Sequence, residues 1–260
     1  MSHSTSARLS IMAMFVPAIV ISFFSIPAHA SVVNDTSLAA PGVYFGSGNS
    51  NVGFTTYTGA GANGVLELGL SAINRYIGPA TEVGDQYYVP TGATTVSGKT
   101  GSEWGFDFSV NTRADGTGTA TLASYSFFLT ITDLTAGLSS APIVIDPTTF
   151  IPDNAYYNGS VLQPPPGPLG WNGSAPAINT VWGMQNSEPA SLTSLLPTFH
   201  YDMNAAHIYE ITLSAIPTSG VVVDPSISIF VNAQAPEPAT FGLAGVALLG
   251  LGVLRRKIKV

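Results

Sequence analysis

The chain contains no cysteine, so neither a disulfide framework nor a thiolate nucleophile is available. Chemistry therefore falls to carboxylates, histidines and aromatic rings. The densest group is His200, Asp202 and His207, which includes two of the four histidines. On a strand, His200 and Asp202 would share a face with His207 reaching in from the next element. No zinc spacing and no Asp-x-Asp-x-Asp-Gly calcium loop accompanies them, so no metal-ligand set and no cofactor is assigned. Glu103 and Asp107 are a possible acid/base pair. Both fall opposite Trp104 and Phe106 in a period-two pattern and are expected to be solvating groups.

Two glycine motifs lack the context that would make them functional. Gly59-x-Gly61-x-x-Gly64 precedes the strand-like Val65-Leu66-Glu67-Leu68 rather than opening a helix, and is expected to be a turn. Gly98-Lys99-Thr100 ends like a phosphate loop, but Ala93 stands where the first glycine is needed. No Gly-x-Ser-x-Gly elbow occurs, which leaves a secreted hydrolase built on scattered carboxylates as the weakest reading. Tyr156, Tyr157, Trp171 and Trp182 lie in a proline-rich stretch. Exposed on loops, Trp171 and Trp182 could stack on sugar rings, as a carbohydrate-binding module requires. Buried, they would pack beneath those loops.

The elements that would hold these residues read as strands. Trp104, Phe106, Phe108 and Val110 alternate with small or polar groups, the period of a half-buried strand. After Asp115-Gly116, a turn signal, a second strand carries Tyr125, Phe127, Leu129 and Ile131 on one side, so residues 104–131 read as a hairpin. Further strands are expected at Gly64–Ile73, His207–Ala215 and Ser226–Val231. Ten prolines between Ser139 and Pro197 argue against central strands there and suggest a loop insertion, with Gln163 to Pro168 a stiff crossing. Residues 232–236 read as a linker. The fold class is all-β: an antiparallel β-sandwich, jelly-roll or Ig-like, with a Pro-rich loop insertion.

Charge narrows the partners. Between Asp35 and Glu237 lie fifteen acidic residues against three basic ones, Arg75, Lys99 and Arg113, a net of −12. Such a surface repels phosphate backbones, so no nucleic-acid partner is expected.

Both ends of the chain read as targeting segments. Arg8, an apolar run from Ile11 to Ile26 and Ala28-His29-Ala30 form a signal peptide over residues 1–30, with cleavage expected after Ala30. Residues 31–235 are then the exported β-sandwich domain. At the other end, Ala239 to Leu254 is a 16-residue uncharged run, roughly 24 Å long as a helix. That is short for a hydrocarbon core of ~30 Å but workable if flanking basic groups snorkel. Arg255, Arg256 and Lys257 follow at once and would hold that end in the cytoplasm.

Pro236-Glu237-Pro238, the apolar run and the closing Arg-Arg-Lys together resemble the PEP-CTERM sorting signal of Gram-negative bacteria, here residues 236–260. Ala235 departs from a Val often found before the motif. The resemblance implies exosortase, a membrane-embedded transpeptidase-like enzyme, as processing partner, cutting near Pro236, Glu237 and Pro238. It also implies inner-membrane anchoring with the main domain periplasmic, then passage to the cell surface or extracellular matrix. The expected role is structural or interactive and not enzymatic, with exopolysaccharide a possible ligand. No Gly-x-x-x-Gly spacing occurs in the apolar run, so no dimerisation through it is expected.

Overall fold

The computed structural model describes residues 31–39, 53–96, 98–135, 141–151, 153–159, 161–163, 166–167, 171–172, 176–196, 199, 201–219 and 224–234. The signal peptide with Ala28 and Ala30, the sorting tripeptide, the apolar run, the basic cluster and His200 lie outside them. Among the described residues no helix is long and apolar enough to cross a membrane.

The described chain is mostly strand. It opens with β1 (Ser31–Thr36), β2 (Phe54–Ala60), β3 (Val65–Asn74), β4 (Gly78–Pro79), β5 (Thr81–Val83) and β6 (Gln86–Pro90). Next come β7 (Ala93–Val96), β8 (Lys99–Ser102), β9 (Trp104–Asn111), β10 (Tyr125–Asp133) and β11 (Ile143–Ile145). A one-turn helix α1 (Pro147–Phe150) precedes β12 (Ala155–Asn158), β13 (Val161–Gln163), β14 (Pro166–Gly167) and β15 (Trp171–Asn172). The chain ends in β16 (Gly183–Pro189), β17 (His207–Pro217) and β18 (Ser226–Gln234).

Two large sheets result. The first has the order β1-β2-β3-β9-β16-β12-β13, with β4 paired to β3. The second has the order β11-β10-β17-β18-β6-β5. All pairings are antiparallel except β18 with β6, which makes the second sheet mixed. Alternate residues from both sheets meet in one core. Leu66, Leu68 and Leu70 of β3 and Phe106, Phe108 and Val110 of β9 share it with Phe127, Leu129 and Ile131 of β10 and Ile211, Leu213, Ile227 and Ile229 of the opposite sheet. Each such side chain contributes about 1.5–3 kcal/mol by leaving water. The strands expected at 64–73, 207–215 and 226–231 are present, and Tyr209, Ile211 and Leu213 point inward as their spacing requires.

Four expectations need correction. First, residues 104–131 are not a hairpin. β9 pairs with β3 and β16, whereas β10 pairs with β11 and β17. The Asp115-Gly116 turn exists, but the connection then runs through a 3-10 turn at Leu122–Ser124 and crosses to the other sheet. Second, β9 is buried on both sides. Its outward residues are Gly105, Asp107, Ser109 and Asn111. Leu38 lies over the neighbouring β3 so closely that a Cβ at Gly69 would sit 2.5 Å from Leu38 Cδ2. Third, the proline-rich stretch is not a loop insertion. It supplies β11 to the second sheet and β12, β13 and β16 to the first. Its prolines punctuate strands: Pro147 stands at the first turn of α1 and Pro189 ends β16. Fourth, residues 232–234 are not linker but the paired end of β18.

Candidate functional site

The body has two chemically distinct ends. At one, β9 begins with Trp104, whose ring lies 5.4 Å from that of Tyr209 on β17. Tyr201 and Phe199 pack against the same Tyr209 ring, and His207 stacks on it at 5.9 Å. The void among these rings has no room for water. The Tyr201 and Tyr209 hydroxyls are buried there without a hydrogen-bond partner. Burial raises both phenols, Tyr201 to about 12. His207 Nδ1 lies 2.5 Å from Asp133 Oδ2, so its partner comes from β10, 74 residues away. Of the group singled out in the sequence, His200 lies outside the described residues, Asp202 is exposed and His207 faces Asp133. Among the described residues no three His, Asp or Glu side chains gather as a cation-holding group.

At the other end lies an open pocket of about 230 Å³, lined by Ala39, Asn111, Arg113, Ala114, Gly116, Gly159 and Trp182. Trp182 is half-buried, and its backbone carbonyl accepts from Thr112 N at 2.8 Å. The Arg113 guanidinium carbon sits 4.2 Å from the centroid of the indole. Arg113 is itself fixed, donating from Nε to Ala120 O at 2.6 Å, while its backbone N donates to Asn111 Oδ1 at 3.0 Å. An indole beside a guanidinium at a concavity suits a ring-shaped polar ligand. Sequence reading found Trp182 but not Arg113 or Asn111, because a turn and a strand crossing bring them together. Trp171 is placed only by its backbone, opposite Gly167 in a two-residue ladder; its side chain is outside the described residues.

Two carboxylates depart strongly from ordinary values. Asp107, expected to be a solvating group, is only 1% exposed, and its Oδ1 has no partner. Burial pushes it up to about 7, against a lowering contribution from the Ser187 side chain. Glu188 is pushed up to about 8 by burial and then by Asp153, with Arg75 opposing. They are not an acid/base pair. Asp107 sits across from Ser187 and Glu188 across from Phe106, and neighbours along a strand face opposite sides of the sheet. The glycine motifs are turns: Gly61 N donates to Gly64 O at 2.8 Å between β2 and β3, and Gly98 lies between β7 and β8. Glu103 is half-buried rather than freely solvated.

The remaining site is where the described chain stops. β18 is paired with β17 up to Ala233 and with β6 up to its last residue, Gln234, through His207↔Ala233 and Gln234↔Pro90. Thr91 N donates to Gln234 O at 2.8 Å. The family model for the PEP-CTERM protein-sorting motif matches residues 234–257, starting on that last strand residue. The chain carries a PEP-CTERM protein-sorting motif. The motif implies export, membrane-anchored sorting before processing, and exosortase as the processing partner. No curated protein and no solved structure matches the chain.

Proposed function

We propose that this is an exported β-sandwich protein delivered to the cell surface or extracellular matrix, where it acts as a structural or interaction component rather than as an enzyme. The observation that carries the reading is the PEP-CTERM match at 234–257, which begins on the last paired strand residue. Before processing, Ala239 to Leu254 spans the inner membrane as a helix, Arg255, Arg256 and Lys257 stay cytoplasmic, and the β body is periplasmic. Cleavage near Pro236-Glu237-Pro238 then frees the body. Mass spectrometry of both ends of the surface-located protein tests this. The expected material starts at Ser31 and lacks the apolar run; an intact Leu254–Val260 peptide in all of it would overturn the reading.

The pocket at Arg113 and Trp182 favours a second reading, a module that binds matrix exopolysaccharide. Its single cation in an acidic body suits a sugar carrying a carboxylate. Affinity electrophoresis in host exopolysaccharide tests it: retardation that is lost in Arg113→Gln supports the reading, and no retardation of the parent protein removes it.

A further inference from the structure

The sorting tail is joined to the body with almost no slack. Gln234 is the last residue of a strand held on both sides, by β17 and by β6. Ala233 and Val231 beneath it are buried, so the strand cannot peel back without opening two ladders and the core. From Gln234 to Pro236 is two residues, at most about 7 Å, and to Ala239 five residues, at most about 18 Å. The headgroup layer takes up about 5–7 Å of that reach. A flexible interdomain tether would need far more chain.

The consequence is an orientation. We propose that the unprocessed protein stands on the end of the body at which β18 leaves it, with the Asp202–Ala205 turn and Gly92 against the lipid headgroups and the Arg113–Trp182 pocket turned away from the membrane. This rests on the reading of residues 239–254 as the membrane anchor. The residues at that end are fixed by the fold. Gly92 N donates to Met203 O at 2.6 Å, Thr91 N holds Gln234 O, and Ala205 N donates to Asp202 O at 3.3 Å. The opposite end carries the Asp115-Gly116 turn and the pocket. The two ends are separated by the length of β9, eight residues or about 25 Å.

Short reach alone imposes this contact, on an end that also exposes Tyr76 and Ile77 in the turn after β3, where Arg75 N donates to Glu103 O at 2.8 Å. Asp202 and Asn204 are exposed at that end, and a carboxylate beside anionic lipid is repelled.

The absence of cysteine makes the test direct, since any introduced thiol is unique. Full-length Asn204→Cys and Asp115→Cys proteins, each labelled with bimane, are reconstituted into phosphatidylcholine liposomes containing a headgroup nitroxide lipid. The label at 204 is expected to be quenched severalfold more than the label at 115. Inserting about twenty Gly/Ser residues after Gln234, which adds roughly 25 Å of root-mean-square slack, should bring the two to the same low value. Equal quenching without the insertion, or a difference that survives it, overturns the orientation. Protein that fails to float with the liposomes instead overturns the anchor reading on which the orientation rests.

Discussion

Asp107 is the residue whose surroundings most constrain its chemistry. It sits on the outward side of β9 beside Ser109, and the sheet places Gln185 diagonally across on β16. Gln185 Nε2 donates to Ser109 Oγ at 3.2 Å, which leaves Gln185 Oε1 buried without a donor, as Asp107 Oδ1 is. Two buried acceptors lacking donors are costly, about 1–3 kcal/mol each. A protonated Asp107 relieves one of them. Because burial raises its folded value from 3.8 to about 7, the folded state holds a proton that the unfolded chain has released. The stability this proton contributes is therefore fully present below about pH 4 and is lost as pH rises to about 7, with Glu188 extending the loss to about 8. Thermal melts between pH 5 and pH 8 should show a midpoint that falls with rising pH. Asp107→Asn should flatten much of that slope and raise the pH 8 midpoint, by about 1–3 kcal/mol in stability. A slope unchanged in Asp107→Asn would place the titrating group elsewhere.

At the scale of elements, the join between β9 and β16 is one that sequence reading missed, and it is tight. A Cβ at Gly105 would meet the backbone carbonyl oxygen of Glu188 across the ladder. Backbone cannot yield as a side-chain tip can, so Gly105→Ala is expected to cost about 3 kcal/mol, read from urea unfolding. β18 sets the opposite kind of test. Its pairing is complete at Gln234, so a chain ending at Ala235 should melt as the body of the full protein does, whereas one ending at Ile229 loses the whole β6 ladder and half of the β17 ladder and should not fold. A large loss of stability on trimming to Ala235 would show that the tail supports the body. These joins also show what was legible. Period-two runs of large apolar residues gave β3, β9, β10, β17 and β18, because each contributes one strongly apolar face to the core. β16 reads Gly-Met-Gln-Asn-Ser-Glu-Pro and carries almost no hydrophobic alternation, since its outward side meets Asp107 and Ser109 and only Met184 reaches the core. β9 and β10 were paired wrongly because a good turn signal between two good strands says nothing about which sheet each joins. The pocket was only half legible: an indole stands out in a sequence, but its neighbours Arg113 and Asn111 depend on the crossing between sheets.

For the whole molecule, the sorting tail and the proposed binding pocket fall at opposite ends of the body, so the two functions should separate genetically. The tail residues Pro236, Glu237 and Pro238 follow the end of β18 where Trp104 and Tyr209 pack, while Trp182 and Arg113 lie past the other end of β9. Replacing the tripeptide by alanines touches no described core residue, so the melting temperature should stay the same while the protein accumulates uncleaved in the inner-membrane fraction. Substitution at the pocket should do the reverse. Trp182→Ala removes the indole under the guanidinium and should weaken polysaccharide retention about tenfold without altering cleavage or surface delivery. Because Trp182 is half-buried, its loss also costs stability, so Arg113→Gln serves as the second variant, keeping a polar group over an intact indole. Retention lost in both variants, with processing normal in both, assigns binding to the pocket. Retention preserved in Arg113→Gln and lost only where the melt also shifts would trace the effect to folding, leaving the body as a structural component of the surface it is sent to.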